Sequence, residues 1–278
     1  MEESTTRVRT AFAALVSRPS ASIPLAESCL LIAAEEYPEL DVGAYLAMID
    51  TLADGIRERV DNAEDARAAG TTLAHYLHSQ EGFQGNDESY YDPRNSYLNE
   101  VLDRRRGIPV TLSILYIEIA RRLGLPVYGV GLPGHFLVHL ADAGTFVDPF
   151  TGQVDLRESD CAERVQNLHG GRLKFERTML SAQSNRQILI RVLRNLREIY
   201  RSKSDSEREL AALDRLVLLH PQDHQVRRDR ASVLERMGEY QKALRDVEQV
   251  RKLQPSVRRS ERFRSWRRFI REMAVRMN

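Results

Sequence analysis

Gly107-Ile108-Pro109-Val110-Thr111-Leu112-Ser113, then Pro133-Gly134-His135-Phe136, then Phe146-Val147-Asp148-Pro149: these three segments decide how the chain is read. In order they offer a helix start, a histidine after a turn, and an aspartate. A nucleophile at a helix N-terminus, an imidazole base and a carboxylate that orients the ring are the parts of a nucleophilic acyl-transfer site. The thiol that would serve best is missing. The helix start supplies only the hydroxyls of Thr111 and Ser113.

Working outward, Pro109 suits the first turn of a helix. Val110, Leu112, Ile114, Leu115, Ile117 and Ile119 surround the axis that follows, so this helix is expected to be mostly buried and to end at Gly124-Leu125-Pro126. Three short β-type runs come next, at 127–131, 135–140 and 145–150, the last two flanking a hairpin turn at 141–144. A turn centred between Asp142 and Ala143 sets Leu137 opposite Asp148 and His135 opposite Phe150. His135 and Asp148 then share a face as diagonal neighbours, on the condition that the register does not slip by one residue. His139, two residues on, has the same facing and competes for the role of base.

Before this block, apolar residues recur at helical spacing from Leu25 to Val60, broken at Tyr37-Pro38, which implies two amphipathic helices. A third is expected over 63–77. His75 and His78 stand on it three residues apart, but metal sites need three or four placed ligands and no third lies nearby. Residues 79–94 are rich in turn formers and read as a loop. A short helix follows over 96–105.

The last third changes character. Pro221 and Pro255 are 34 residues apart, and the same offset aligns Leu210 with Leu244, Leu213 with Val247, Leu216 with Val250 and Leu219 with Leu253. That helical period is the tetratricopeptide signature. The second copy, 222–255, carries Gly238 and Tyr240 at its inter-helix turn; the first, 187–221, has Ser202-Lys203-Ser204-Asp205-Ser206 instead. Residues 257–278 are expected to form a capping helix with Phe263, Trp266, Ile270 and Met273 as its apolar stripe.

With 278 residues, two domains are the natural expectation. No run approaches the roughly 18 apolar residues of a membrane span, and the acidic start is unlike a signal peptide, so a soluble cytoplasmic protein is expected. The two cysteines, Cys29 and Cys161, have no second thiol near them in sequence. The net charge of +1 hides an asymmetry: residues 1–180 carry 17 Lys+Arg against 27 Asp+Glu, and residues 181–278 carry 24 against 13. The basic part suits an acidic partner or the acidic part of the chain itself.

The motifs Asn95-Ser96-Tyr97-Leu98-Asn99, Arg105-Arg106-Gly107-Ile108-Pro109-Val110-Thr111-Leu112, Arg121-Arg122-Leu123-Gly124-Leu125-Pro126, Pro133-Gly134-His135-Phe136 and Val147-Asp148-Pro149-Phe150 together resemble the transglutaminase-like superfamily. They are most similar to its bacterial invasion-regulator-type branch, in which such a core precedes tetratricopeptide repeats. The resemblance spans roughly residues 25–255. It implies an α+β fold: a transglutaminase-like (papain-like) core with N-terminal helices over 1–180, joined near 181–186 to an all-α repeat segment over 187–278.

The resemblance also implies roles. In active members the helix corresponding to 109–123 begins with a catalytic cysteine, and the next strands bring histidine and aspartate; His135 and Asp148 match the latter two. The cysteine position falls between Pro109 and Ser113, where none stands. Two readings follow. One is a non-catalytic protein that binds a protein partner through 187–278. The other is a cytoplasmic peptide or amide hydrolase, or acyltransferase, with Thr111 or Ser113 as nucleophile, His135 as base and Asp148 as orienter.

Thr111 and Ser113 also suit helix capping. Asn95, Tyr97 and Asn99 line a polar cleft in one reading and cap a helix in the other. Arg106, in the Arg104-Arg105-Arg106 run, is an anion-binding edge beside the helix start or a solvated face. The arginines at 258, 259, 262, 264, 267, 268, 271 and 276 interleave with an apolar stripe, as on a capping helix, and no nucleic-acid motif accompanies them, so nucleic acid is not the expected partner. No cofactor and no metal is called for.

Overall fold

The computed structural model describes residues 2–277, with side chains from Thr5 onward. It divides into two compact units, one reaching Val192 and the other beginning at Leu193. That division lies inside the helix Asn185–Ser202, later than the junction at 181–186 that the sequence suggests. The first turns of this helix are bonded into the first unit: Asn185 donates to the Ile23 carbonyl at 2.7 Å and Arg186 to the Val16 carbonyl at 2.7 Å.

The helix Pro109–Arg122 is the post around which the first unit is assembled. Every residue from Pro109 to Ala120 is buried. It packs on the helices Leu25–Ala34, Val42–Asp54 and Ala66–His75 and on the strands Val127–Val130 and Leu137–Leu140. Pro109 at its first turn has no N–H to satisfy. Its C-terminus closes on Gly124, whose φ of +74° lets the Leu125 N–H return to the Ala120 carbonyl at 2.9 Å. Glu118 lies beneath the basic last turn and is paired with Arg121 at 3.0 Å and Arg122 at 2.9 Å.

The sheet is five-stranded, in the order Gln153–Leu156, Thr145–Asp148, Leu137–Leu140, Val127–Val130, Ala182–Gln183, all antiparallel. The central hairpin takes the expected register, with Val138 opposite Val147, His139 opposite Phe146 and Leu140 opposite Thr145. A two-residue parallel pair, Gln84–Gly85 with Arg106–Gly107, ties the loop before the site to the helix start.

Several elements depart from the sequence pattern. The helix Leu25–Ala34 is buried almost all round, not on one face, because the helices Glu2–Val16, Val42–Asp54, Leu98–Arg104 and Pro109–Arg122 all pack on it. The helix of residues 66–75 gives way to a single π-turn at Tyr76–Gln80. The strand Gln153–Leu156 and the helix Glu158–Leu168 were unmarked by any run of apolar periodicity. No helix among the described residues is long and apolar enough to cross a membrane.

The second unit contains the helices Ser206–Leu219, His224–Arg236, Tyr240–Leu253 and Glu261–Arg276. Ser206–Leu219 and Tyr240–Leu253 are offset by the 34-residue period at both ends. Small residues, Ala231 and Ala243, let neighbouring helices close in, and Leu234, Val247, Val250, Phe263 and Ile270 complete the core. At the place of Ala243 the first copy has Glu209, which is buried and paired with Arg236. Asp246, also buried, is held by Arg227 at 3.3 Å and Arg230 at 2.6 Å.

The inter-helix turns repeat as well. Gly238 has φ +77°, and Ser204, 34 residues earlier, has φ +57°. Serine is thus held in the left-handed region where the second copy uses glycine. Ser204→Gly is expected to raise the unfolding free energy by about 0.5–1 kcal/mol, relief of strain less the entropy of glycine. Urea unfolding of the two chains measures it; equal or lower stability of the glycine variant would mean that the serine turn carries no strain.

Candidate functional site

His135 follows the Pro133-Gly134 turn, in which Gly134 has φ +75° and the His135 N–H donates to the Leu132 carbonyl at 3.1 Å. Asp148 ends the strand Thr145–Asp148 and begins a tight turn, closed by the Gly152 N–H on its carbonyl at 2.8 Å. The hairpin register brings the two together: His135 Nε2 lies 2.9 Å from Asp148 Oδ2. Asp148 is fully buried and His135 is 8% exposed.

The Asp148 carboxylate is the meeting point of several donors. Its Oδ1 accepts from the Phe150 N–H at 3.0 Å, and its Oδ2 from the Thr151 hydroxyl at 2.9 Å. Arg164, from the helix Glu158–Leu168, puts Nη1 on the same Oδ2 and 3.0 Å from His135 Nε2, while its Nη2 donates to the Gln153 side chain. Burial alone pushes the Asp148 carboxyl up, but the His135 hydrogen bond, the charges of His135 and Arg164 and the Thr151 hydroxyl together hold it below the usual carboxylate range. An ionised carboxylate only accepts, so the network assigns a proton to His135 Nε2 and leaves Nδ1 as the acceptor of the neutral ring. Arg164 and His135 are therefore two donors crowded around one oxygen.

The hydroxyls at the helix start are differently engaged. Thr111 donates to the Asn95 carbonyl at 2.8 Å and the Ile108 carbonyl at 3.1 Å, and accepts from the Ile108 N–H at 3.1 Å. It is one half of a capping box; Ile108 has no acceptor with which to return the bond. Ser113 is 0% exposed, and its hydroxyl has no partner among the described residues. Neither cysteine stands in for the missing thiol. Both are unpaired and buried. Burial, with a lesser effect of Glu118, pushes the Cys29 thiol far up, and burial raises Cys161 to about 11 despite the nearby Arg164.

Asn95, Tyr97 and Asn99, which the sequence leaves between lining a polar cleft and capping a helix, are buried. The Asn95 amide donates to the Ser89 carbonyl at 2.7 Å and the Tyr90 carbonyl at 3.3 Å and accepts from Asn86 at 3.0 Å, so its groups are used to hold the 86–90 loop. Tyr97 packs edge-on against Tyr37 with ring centroids 5.7 Å apart. Arg106 is exposed and donates to Gln84 at 2.6 Å. His139 is stacked between Tyr128 and Phe146, each 4.6 Å away, and burial pulls its pKa down; it has no carboxylate to orient it. Among the described residues, no group of three or more His, Cys, Asp or Glu is placed to hold a metal ion.

Sequence reasoning missed Arg164, Thr151, Tyr90 and Arg191. Thr151 was accessible in principle, as the hydroxyl three residues after a turn-forming aspartate. The others arrive from separate elements and leave no local mark. Phe150 lies edge-on to His135 at 6.1 Å, and Tyr90 lies edge-on to Phe150 at 6.2 Å, which gives the histidine an aromatic wall.

Because the Asp148 carboxyl is depressed in the folded chain, its contribution to stability is complete above the unfolded value near pH 4 and is lost as pH falls through the lower, folded value. Asp148→Asn should therefore be less stable at pH 7 and lose less stability on acidification below about pH 4. Unfolding free energies across pH 2–7 test this, and acid limbs of equal steepness would contradict it.

Comparison with known proteins agrees with this architecture. Residues 43–194 match the model of a transglutaminase-like superfamily, and residues 196–273 match a tetratricopeptide repeat model. A UPF0162 protein of Xylella fastidiosa is 38% identical over 240 residues, which cover 84% of this chain and 85% of that protein. One from Pseudomonas aeruginosa is 33% identical over 206 residues, 73% of this chain and 76% of its own length. The human F-box only protein 21 shares 47% identity over 66 residues, 24% of this chain and 10% of that protein. No solved structure matches the chain. With a core built on Pro109–Arg122 and the His135–Asp148 hairpin, followed by helices at a 34-residue period, the chain belongs to the transglutaminase-like superfamily and groups with the UPF0162 proteins.

Proposed function

We propose that this protein is a cytoplasmic transglutaminase-like pseudoenzyme that works as an interaction module, engaging a protein partner through its repeats over 187–278. The observation that carries the reading is the bonding of Thr111. Its hydroxyl both donates into carbonyls and accepts an N–H at the helix start, so it serves as a cap and has no proton directed at His135. A hydroxyl needs a base within hydrogen-bond reach to become a nucleophile. Ser113 is sealed from solvent, and both thiols are buried with raised pKa values.

The repeats supply the other half of the reading. Arg262, Arg264, Arg268 and Arg271 are exposed on the helix Glu261–Arg276, and none of them forms an ion pair among the described residues; Arg267, in contrast, is held by Glu248 at 2.6 Å. Phe269 on the same helix is 44% exposed. Unpaired arginines on the same helix as an exposed aromatic ring suit an acidic protein surface.

Two experiments separate this from the hydrolase reading. Thr111→Val is expected to cost about 1–2 kcal/mol of stability, as the loss of a helix cap does. With peptide, amide and ester substrates, the intact chain and His135→Ala should be equally inactive. Turnover by the intact chain that His135→Ala abolishes without loss of stability would establish an enzyme.

For the repeats, the tagged full chain should retain an acidic protein from cytosol, and a variant with Arg262, Arg264, Arg268 and Arg271 changed to Glu should not. Equal retention by the variant would remove the repeat helix from the interaction.

A further inference from the structure

Arg191 is a cation without a counter-charge. It lies in the helix Asn185–Ser202, half-buried, and forms no ion pair among the described residues. Its Nη2 donates to the Leu132 carbonyl at 2.8 Å and to the His135 carbonyl at 2.6 Å, bracing the turn that presents the histidine. Its guanidinium also faces the Phe136 ring at 5.4 Å. These contacts hold the side chain in place without neutralising it.

The donors that remain, Nη1 and Nε, bond to no described protein group, and neither is a buried orphan, so both are accessible. Gly131 lies beside Nη1, with the Gln183 side chain packed against the same spot. A Cβ at Gly131, which is not in the left-handed region, would stand 3.3 Å from that nitrogen and 3.4 Å from the Gln183 side chain. Tyr90 is near enough that the Arg191 charge pulls its phenol down, against the larger upward push of burial. Through Phe150, Tyr90 belongs to the aromatic wall beside the His135 ring.

The charges of this region do not cancel. Asp148 and Arg164 neutralise one another, whereas Arg191 has no ion-pair partner among the described residues. A half-buried charge without a partner is incompletely hydrated, and an anion that shares the site offsets that cost. One surplus positive charge matches one negative charge, and a guanidinium hydrogen-bonds a carboxylate strongly.

We propose that Arg191, beside the turn that presents His135, is a binding site for a single carboxylate group, received by its Nη1 and Nε. This site is separate from the repeat helix and does not depend on the interaction assigned to it. The carboxylate comes from an acidic side chain or from a chain terminus, and the two are distinguishable.

The test is a titration of the full-length chain, labelled with nitrogen-15, following the Arg191 Nε–H resonance assigned by its absence in Arg191→Lys. N-acetylalanine presents a terminal carboxylate, N-acetylglutamate α-amide a side-chain carboxylate, and N-acetylalanine amide neither, all at constant ionic strength. At least one acid should shift the resonance saturably while the amide does not, and the tighter acid identifies the source.

Gly131→Ala, which crowds Nη1 but leaves both carbonyl bonds of Arg191 in place, should weaken that acid at least about tenfold, as expected for the loss of one charge-assisted hydrogen bond. Shifts that fail to saturate with both acids, or an amide that matches them, would overturn the site. So would an unchanged affinity in Gly131→Ala. If that variant does not fold, the titration of the unmodified chain decides alone.

Discussion

A carboxylate sealed from water must find its donors within the protein, and Asp148 draws them from three parts of the first unit. His135 comes from the turn before one strand, Phe150 and Thr151 from the turn after the next, and Arg164 from the helix Glu158–Leu168. An ionised group left unpaired at such a depth would cost several kcal/mol, so the hairpin, its following turn and that helix are each bound to the same oxygen atoms. The position of His135 follows from this. Its ring is held by the carboxylate, its carbonyl by Arg191, and its amide by Leu132.

That arrangement holds His135 in the geometry of a base, while the Thr111 hydroxyl at the helix start is bonded to backbone groups. In a thiol enzyme the helix start carries the nucleophile, which the amides of the first turn help to ionise. Here the same amides are handled by other means: Pro109 has no N–H, and Thr111 accepts the N–H of Ile108. Thr111 further reaches to the Asn95 carbonyl, and Asn95 in turn holds the loop that carries Tyr90. The helix start has become a structural joint between loop and core. Arg164 has a parallel effect on the other side, since a guanidinium on Asp148 Oδ2 competes with the imidazole for the oxygen that would stabilise an imidazolium.

The parts of this picture that could be read from sequence are those with a short repeat distance. Pro109 and Gly124 bracket the central helix, and alternating β-type runs about a four-residue turn were enough to set Val138 against Val147 and hence His135 near Asp148. The residues that complete the site could not be read in this way. Arg164 and Arg191 sit on two different helices, and a guanidinium that leaves its own helix for a carboxylate or a carbonyl has no periodic signature. Asn95 and Tyr97 stayed ambiguous for a related reason: polar and aromatic residues near a motif suit a cleft or a cap equally, and their burial uses the Asn95 amide on backbone carbonyls and sets Tyr97 against another ring.

The second unit shows how far a period constrains a fold when individual residues depart from it. Ser204 and Gly238 hold corresponding turns in the same left-handed conformation, although only one of them does so without strain. Glu209 occupies the place of Ala243, and a residue that ought to be small is accommodated as a buried carboxylate because Arg236 reaches it from the next helix. The helix spacing survives both exchanges, since Ser206–Leu219 and Tyr240–Leu253 keep their 34-residue offset. What the two copies share is therefore a left-handed turn, a second helix of fixed length and a filled contact, and ion pairs can fill that contact where alanine does not. The exposed face of the final helix is free of that requirement, and its arginines are available for whatever the surface meets.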